Sequence, residues 1–230
     1  MSETTVRAGV CRLALSGRWL ATGPGGGYRA GEAAYNVSVP EGFDRADLAE
    51  YAAERLAEAG FERDGPVLLT GVDADRARGA RRGPVTVVAT VGLSNPARLP
   101  VHPRVTGAGA DDADRDPAGT VNLLVATTRA LADGALATLL GTAVEAKTAT
   151  LQATTGFSGT TTDAVAVGSV PGGDPAEFAG SGTDVGAATR VCVRDALLSG
   201  LEARSDPPPG RVVEADHGTV TGGRADLFRP

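Results

Sequence analysis

Thr142-Ala143-Val144-Glu145-Ala146-Lys147-Thr148-Ala149-Thr150-Leu151-Gln152 is the centre of a helix that the spacing predicts over roughly 134–153, with Asp133 as its cap. At 100° per residue, Leu136, Leu139, Leu140, Ala143, Val144 and Leu151 share one apolar stripe. Lys147 falls near the middle of that stripe, and Thr138, Thr142, Glu145 and Gln152 fall on the opposite side. All but one of the 22 basic residues are arginine, and the exception is Lys147. Codon bias accounts for scarce lysine, but not for this one being kept in an apolar stripe. Arginine holds its proton in every protein setting, whereas a buried lysine can give it up. Lys147 is therefore either a reactive amine or a core lysine whose head pairs with a buried carboxylate. Glu145 diverges from it by roughly 160–200°, so the two do not form a simple dyad.

Outward from this helix the chain reads as alternating strands and helices. Val10–Leu15 and Arg18–Leu20 form two short strands broken at Ser16-Gly17, followed by the loop Gly23-Pro24-Gly25-Gly26-Gly27. Tyr35 to Val39 is a strand, closed by Pro40. Asp44 caps a helix over 45–59 that Gly60 ends. Strands follow at 67–70, 85–91, 120–127 and 164–167, with a polar helix or turn at 73–81 and a last helix over roughly 185–201. The segment 97–118, with Asp111-Asp112-Ala113-Asp114 inside it, is a surface loop by its proline, glycine and aspartate content. The order is not a strict βαβ series, so the expected fold is α+β, a mixed sheet covered by three main helices, with a layered α/β sandwich as the alternative. Residues 1–204 form the domain, and 205–230, which starts in prolines, forms a weakly structured tail.

Composition excludes several functions. A net charge of -6 argues against a nucleic-acid backbone or an anionic membrane as partner. Acidic residues with almost no lysine suit a protein working in high salt. No apolar run reaches the roughly 18 residues of a membrane span, and Met1-Ser2-Glu3 lacks the basic start of a secretory signal. Cys11 and Cys192 form no framework or metal spacing, so a reducing cytoplasm is expected. His102 and His217 lie in a loop and in the tail, too few for a zinc site. There is no phosphate-binding or dinucleotide loop motif.

What remains is a set of polar groups in special places. Gly159-Thr160-Thr161-Thr162-Asp163 puts hydroxyls, backbone N–H groups and a carboxylate at a strand start. Such a loop can supply a nucleophile or an oxyanion site, or simply turn into the strand. Gly182 and Thr183 precede a helix, where Thr183 or Asp184 would serve as a cap. Asn36, Asn95 and Asn122 are the three asparagines, all in or at the ends of strands, where asparagine is disfavoured without a hydrogen-bonding role.

Thr120-Val121-Asn122-Leu123-Leu124-Val125, Val144-Glu145-Ala146-Lys147-Thr148-Ala149 with Leu151-Gln152, and Ser158-Gly159-Thr160-Thr161-Thr162-Asp163 occur in that order. Together they resemble the adenosylcobinamide amidohydrolase family of corrinoid salvage. Gly25-Gly26-Gly27, Asn36-Val37-Ser38-Val39, Val91-Gly92-Leu93-Ser94-Asn95 and Ala179-Gly180-Ser181-Gly182-Thr183 extend the resemblance over roughly residues 11–204. The family loop commonly reads Thr-Gly-Thr-Gly-Thr-Asp, where this chain has Ser158 and Thr161, and the stretch after Asn95 is also altered.

The resemblance implies hydrolysis of the amide joining aminopropanol to the corrin ring of adenosylcobinamide, giving adenosylcobyric acid for coenzyme B12 synthesis. It implies no metal site and no cofactor, since cobalt enters only within the corrinoid substrate, and it leaves homo-oligomer formation open. The catalytic candidates are Lys147, Asp163, Glu145 and Thr162. The substrate-binding candidates are Asn36, Ser94, Asn95, Asn122, Thr148, Gly159, Thr160, Gly182 and Thr183. Two arrangements are open: Lys147 activating a hydroxyl of Ser94, Thr160 or Thr162, or Glu145 or Asp163 activating water. Glycine-loop N–H groups would bind the oxyanion, and the three asparagines would pair with the corrin's peripheral amides. A corrinoid carrier without activity and an amidohydrolase for a different amide are the competing functions.

Overall fold

The structure is a computed structural model describing residues 2–101, 119–204, 207–215 and 217–230. The acidic stretch 111–114 and His102, both read from the sequence as loop, lie outside the described residues. In chain order the elements are β1 (Glu3–Arg7), β2 (Val10–Ala21), β3 (Gly27–Ser38), α1 (Leu48–Glu58), β4 (Val67–Thr70), β5 (Arg78–Arg82), β6 (Val85–Val91) and β7 (Pro96–Arg98). There follow β8 (Val121–Thr127), β9 (Ala130–Leu131), α2 (Asp133–Thr155), β10 (Gly159–Thr160), β11 (Val165–Ser169), β12 (Pro175–Ala176), α3 (Asp184–Glu202) and β13 (Thr219–Val220).

The main sheet runs β4-β3-β2-β11-β8-β6-β5, with β1 added beside β2. Its β3–β4 and β8–β11 pairs are parallel and the others antiparallel. This is the mixed α+β sheet that the element order implies. On β6, β8 and β11 alternate residues face opposite ways. Val85, Val87, Val91, Leu123, Val125 and Val167 pack under α2 and α3 with Leu136, Leu139, Leu151, Val193 and Leu197. Val88, Leu124, Ala126 and Ala166 pack the other way, against Leu13, Trp19, Ala34 and Leu68 from β2, β3 and β4. Both faces are therefore buried, which is why these strands read as largely apolar runs, mostly β-branched in β6, rather than alternations. A third core holds α1 against β3 through Tyr35, Val37, Tyr51 and Leu56.

The second of these cores requires the β2–β3–β4 half of the sheet to curl over the β8–β6 half. The β2–β3 register shifts between Ala14 and Gly17, the site of the predicted strand break. β2 is thus one bulged strand and not two, because the bulge bends it without ending its pairing. Glycine is required at 168 by the curl: a Cβ there would lie 2.5 Å from Cε3 of the fully buried Trp19.

Three other expectations shift. Helix α1 starts at Leu48, and the residues from 40 to 47, read partly as helix from Asp44, are largely irregular and held by Arg45, which bonds Asp47 (Nε to Oδ1, 2.8 Å) and Glu54 (Nη1 to Oε2, 2.6 Å). The polar stretch 73–81 is a 3-10 turn (Ala74–Arg76) followed by the start of edge strand β5, whose arginines mask its strand pattern. Thr142 is buried and not on the outer side of α2, its hydroxyl donating to the Ala179 carbonyl (3.2 Å). The described part of the tail adds β13 and the 3-10 turn Val212–Glu214, and is otherwise irregular. Gly168→Val should lower the unfolding free energy by about 1–3 kcal/mol through overpacking against Trp19, measured as a reduced denaturant midpoint with an unchanged slope.

Candidate active site

Lys147, midway along α2, meets Asp163 in the turn between β10 and β11, and their side chains are only 6% and 11% exposed. The carboxylate accepts four bonds. Lys147 Nζ and Thr160 N (3.1 Å) donate to Oδ2, while Thr160 Oγ1 and Val121 N (2.9 Å) donate to Oδ1. These fill the roughly four lone-pair positions of an ionised carboxylate. The lysine is thus the buried and paired kind. Gly159 makes the approach workable, since a Cβ there would fall on Asp163 Oδ2 and lie 3.5 Å from Lys147 Nζ.

Behind the Thr160–Asp163 turn lies Asn95, which is fully buried. Its Nδ2 donates to Thr161 Oγ1 (2.8 Å) and Thr162 Oγ1 (3.2 Å), and its carbonyl accepts from Thr161 N (3.2 Å). The Thr162 hydroxyl in turn donates to the Gly119 carbonyl (3.1 Å). Asn95 Oδ1 has no partner among the described residues. With its side chain sealed from solvent, Asn95 is a positioning group for the threonine hydroxyls.

Asn36 and Asn122 form a separate network beneath the site, where the sheet curls. Asn122 Nδ2 donates to Asn36 Oδ1 (2.9 Å) and to the Leu69 carbonyl (2.7 Å), and its Oδ1 accepts from Ala164 N (3.0 Å). Asn36 Nδ2 donates to Thr90 Oγ1 (2.9 Å). Both amides are buried and spent on protein partners, so they join β3, β4, β6 and β8 rather than facing a ligand. Thr70, Thr90 and Thr120 extend this network with their hydroxyls. Their contact leaves no local trace in the sequence, because Thr70 on β4, Thr90 on β6 and Thr120 just before β8 become neighbours only when the sheet curls.

Asp163, and not Lys147 or Thr160, lines a cavity of about 560 Å³, so the ion pair meets it through its carboxylate side. Val39, Phe43, Leu48, Val67 and Leu69 supply apolar lining, while Thr120, Thr162 and Asp163 supply polar lining, and Gly23-Pro24 borders it. Phe43 and Arg45 in this wall carry no pattern that marks them in the sequence, since Phe43 precedes the expected cap Asp44 and Arg45 falls in the expected helix. The wall is held by the Arg45 fork, whose guanidinium keeps the Asp47 carboxyl down at about 2. Arg45 also lies 5.2 Å over the Tyr51 ring, which packs against Phe43 at 4.6 Å.

The other candidates fall elsewhere. Glu145 is exposed on the far side of α2 and paired with Arg190. Thr183 is the N-cap of α3, accepting from Gly186 N (3.0 Å) and donating to the Gly180 carbonyl (2.8 Å), with exposed Gly182 beside it. Ser94 lines a second cavity of about 350 Å³ with Asp73, Arg76 and Arg204, and Gly71 borders both cavities. Thr148 is half-buried on α2, about 100° round from Lys147. Cysteine chemistry finds no support, since burial pushes the Cys11 thiol up to about 11 and raises that of Cys192. Among the described residues no cluster of His, Cys, Asp and Glu could hold a metal ion.

A family model described as adenosylcobinamide amidohydrolase matches residues 3–208. An adenosylcobinamide amidohydrolase of Halobacterium salinarum is 53% identical over 233 residues, covering all of both chains. One from Methanosarcina mazei is 28% identical over 197 residues, covering 81% of this chain and 91% of its own. Among solved structures, the PH0078 protein from Pyrococcus horikoshii matches at 13% identity with a TM-score of 0.46, over 87% of this chain and 79% of that one.

The burial of Lys147 and Asp163 makes a thermodynamic prediction independent of any reaction. Lys147→Met alone should destabilise by about 3–5 kcal/mol, because it strands a buried carboxylate. Adding Asp163→Leu should recover a large part of that loss, which a double-mutant cycle by denaturant unfolding would measure.

Proposed function

The chain belongs to the adenosylcobinamide amidohydrolase family, and we propose that it hydrolyses the aminopropanol amide of adenosylcobinamide at the Thr160–Asp163–Lys147 cluster. The observation that carries this assignment is the Asp163 carboxylate of the buried ion pair, which with Thr162 borders a cavity that is apolar on most of its lining and holds Thr160 directly behind it. A corrin bears an apolar rim and amide side chains, and such a cavity suits part of that rim while directing one amide toward the polar end. Within the cluster, Thr160 donates its hydroxyl proton to Asp163, and Lys147 fixes the carboxylate. A nucleophile bonded to a base that a third group orients is the arrangement that hydroxyl attack needs.

In this reading Thr160 Oγ attacks the amide carbonyl carbon and its proton passes to Asp163. Asp163 returns the proton to the amide nitrogen as the C–N bond breaks, releasing aminopropanol. Water then cleaves the resulting ester, giving the free carboxylic acid and restoring Thr160. The N–H groups of Thr160, Thr161 and Ala164 are already taken by Asp163, Asn95 and Asn122. Those of Thr162 and Asp163 have no bond within the protein among the described residues, so they are the donors we assign to the oxyanion.

This mechanism calls for no separate cofactor, since cobalt arrives inside the substrate. No helix among the described residues is long and apolar enough to cross a membrane. Two free, buried cysteines suit a reducing compartment, which supports our reading of a cytoplasmic protein.

Incubating the protein with adenosylcobinamide and measuring free aminopropanol tests the assignment. Thr160→Ala and Asp163→Asn should each lower kcat by roughly 10²–10⁴-fold, while Thr160→Ser keeps most of the activity. Hydroxylamine should intercept the Thr160 ester, releasing the acyl group as the hydroxamate of adenosylcobyric acid and freeing the Thr160 hydroxyl. Wild-type rates in Thr160→Ala would exclude hydroxyl attack by Thr160 and point to water on Asp163. Tight corrinoid binding with no product would make the protein a carrier.

A further inference from the structure

Strand β7 is the middle of a three-stranded sheet, separate from the main one, in the order β10-β7-β13. On one edge, Gly159 and Thr160 pair with Ala97 and Pro96, and Ser158 donates from both N (2.9 Å) and Oγ (3.0 Å) to the Ala97 carbonyl. On the other edge, Thr219 and Val220 pair with Ala97 and Arg98, and Thr221 N donates to the Arg98 carbonyl (3.0 Å). Thr219, Ala97 and Gly159 thus form one row across the sheet. Its far end is the glycine whose missing side chain makes room for Asp163 Oδ2 and Lys147 Nζ. Asn95, which orients Thr161 and Thr162, is joined directly to the start of β7.

A strand pair only two residues long is marginal by itself, and an unpaired edge leaves backbone groups without partners. The third strand completes this small sheet, and it comes from a segment beyond residue 208, where the family match stops. That segment is seated closely: a Cβ on Gly218 would lie 2.7 Å from Val212 Cγ1 and 3.0 Å from the Pro96 carbonyl oxygen.

We propose that the C-terminal residues 212–215 and 217–221 form a positioning clamp for the Thr160–Asp163 turn, holding it through β7 although none of these described residues hydrogen-bonds to the cluster. Its catalytic consequence rests on the site assignment above, and its mechanical consequence does not. Freed of β13, the β7 strand shifts on its open edge, and the turn loses the geometry that keeps Thr160 on Asp163. Small displacements at a reacting group cost rate far more than affinity, because alignment is needed at the transition state and less so for binding.

The test uses full-length variants outside the site. Thr221→Pro removes the N–H that bonds Arg98, Thr221→Ala keeps it, and Gly218→Val forces the segment off Pro96. Amide hydrogen exchange over residues 157–164, kcat and KM for adenosylcobinamide, and thermal unfolding are measured on each. In Thr221→Pro and Gly218→Val, exchange at Ser158 and Thr161 should speed up on the order of tenfold. In both, kcat should fall roughly tenfold with KM within about twofold, while Thr221→Ala behaves as wild type. Unchanged exchange at 157–164, with the tail newly open to protease, would overturn the clamp. Faster exchange with an unchanged kcat would uphold the clamp and overturn the assignment of Thr160 to catalysis.

Discussion

A lysine and an aspartate that meet out of water govern much of this protein. Removing two charges from solvent costs several kcal/mol per ion, and their attraction offsets that only if the remaining lone pairs are also bonded. Asp163 meets this condition with three further donors, two from Thr160 and one from the Val121 backbone. Each donor constrains an element: α2 must place Lys147, β10 must place Thr160, and β8 must start at Val121. Gly159 follows from the same constraint, because any larger residue would occupy the carboxylate's position.

A second constraint is the curl of the sheet. Folding β2, β3 and β4 over β8 and β6 creates an apolar core around Trp19 and Leu124, but it also brings strand interiors together away from regular pairing. Buried backbone groups there need other partners. Asn122 supplies them to the Leu69 carbonyl and the Ala164 N–H, and Asn36 ties it to Thr90. Asparagine is a poor strand residue in general, and its use here reflects the two donors and two acceptors that one amide offers. Because Ala164 follows Asp163 directly, the curl and the ion pair support one another.

The cavity follows from both. Its polar end is the turn that the ion pair holds, and its apolar wall is the segment between β3 and α1, fastened by Arg45 to Asp47 and Glu54. A polar corner fixed by a buried ion pair, beside a wall fastened mainly by the side chain of Arg45, suits a large substrate at the site we propose. The reacting amide needs exact placement more than the macrocycle rim does.

Much of the fold was legible in the residues alone. The apolar periodicity of α2 and α3, the β-branched run of β6 and the largely apolar run of β8 follow from burial, a local property of each element. Lys147 stood out because it broke an apolar stripe, and Asp163 because it closed a turn rich in threonine. Family membership was likewise readable from short ordered motifs. Edge strand β5 and the wall around Phe43 were not, since polar residues obscure one and irregular backbone the other. Nor could the sequence separate ligand-facing groups from supports: the curled sheet commits the buried Asn36 and Asn122 amides to protein partners, and Asn95 is buried behind the Thr160–Asp163 turn. Whether a polar side chain faces a cavity or another strand depends on contacts between residues more than fifty positions apart. The sequence by itself determined the central strands and main helices, the lysine on an apolar stripe and the family; only the tertiary structure decided which carboxylate that lysine meets, because pairing across the fold leaves no periodic trace in the chain.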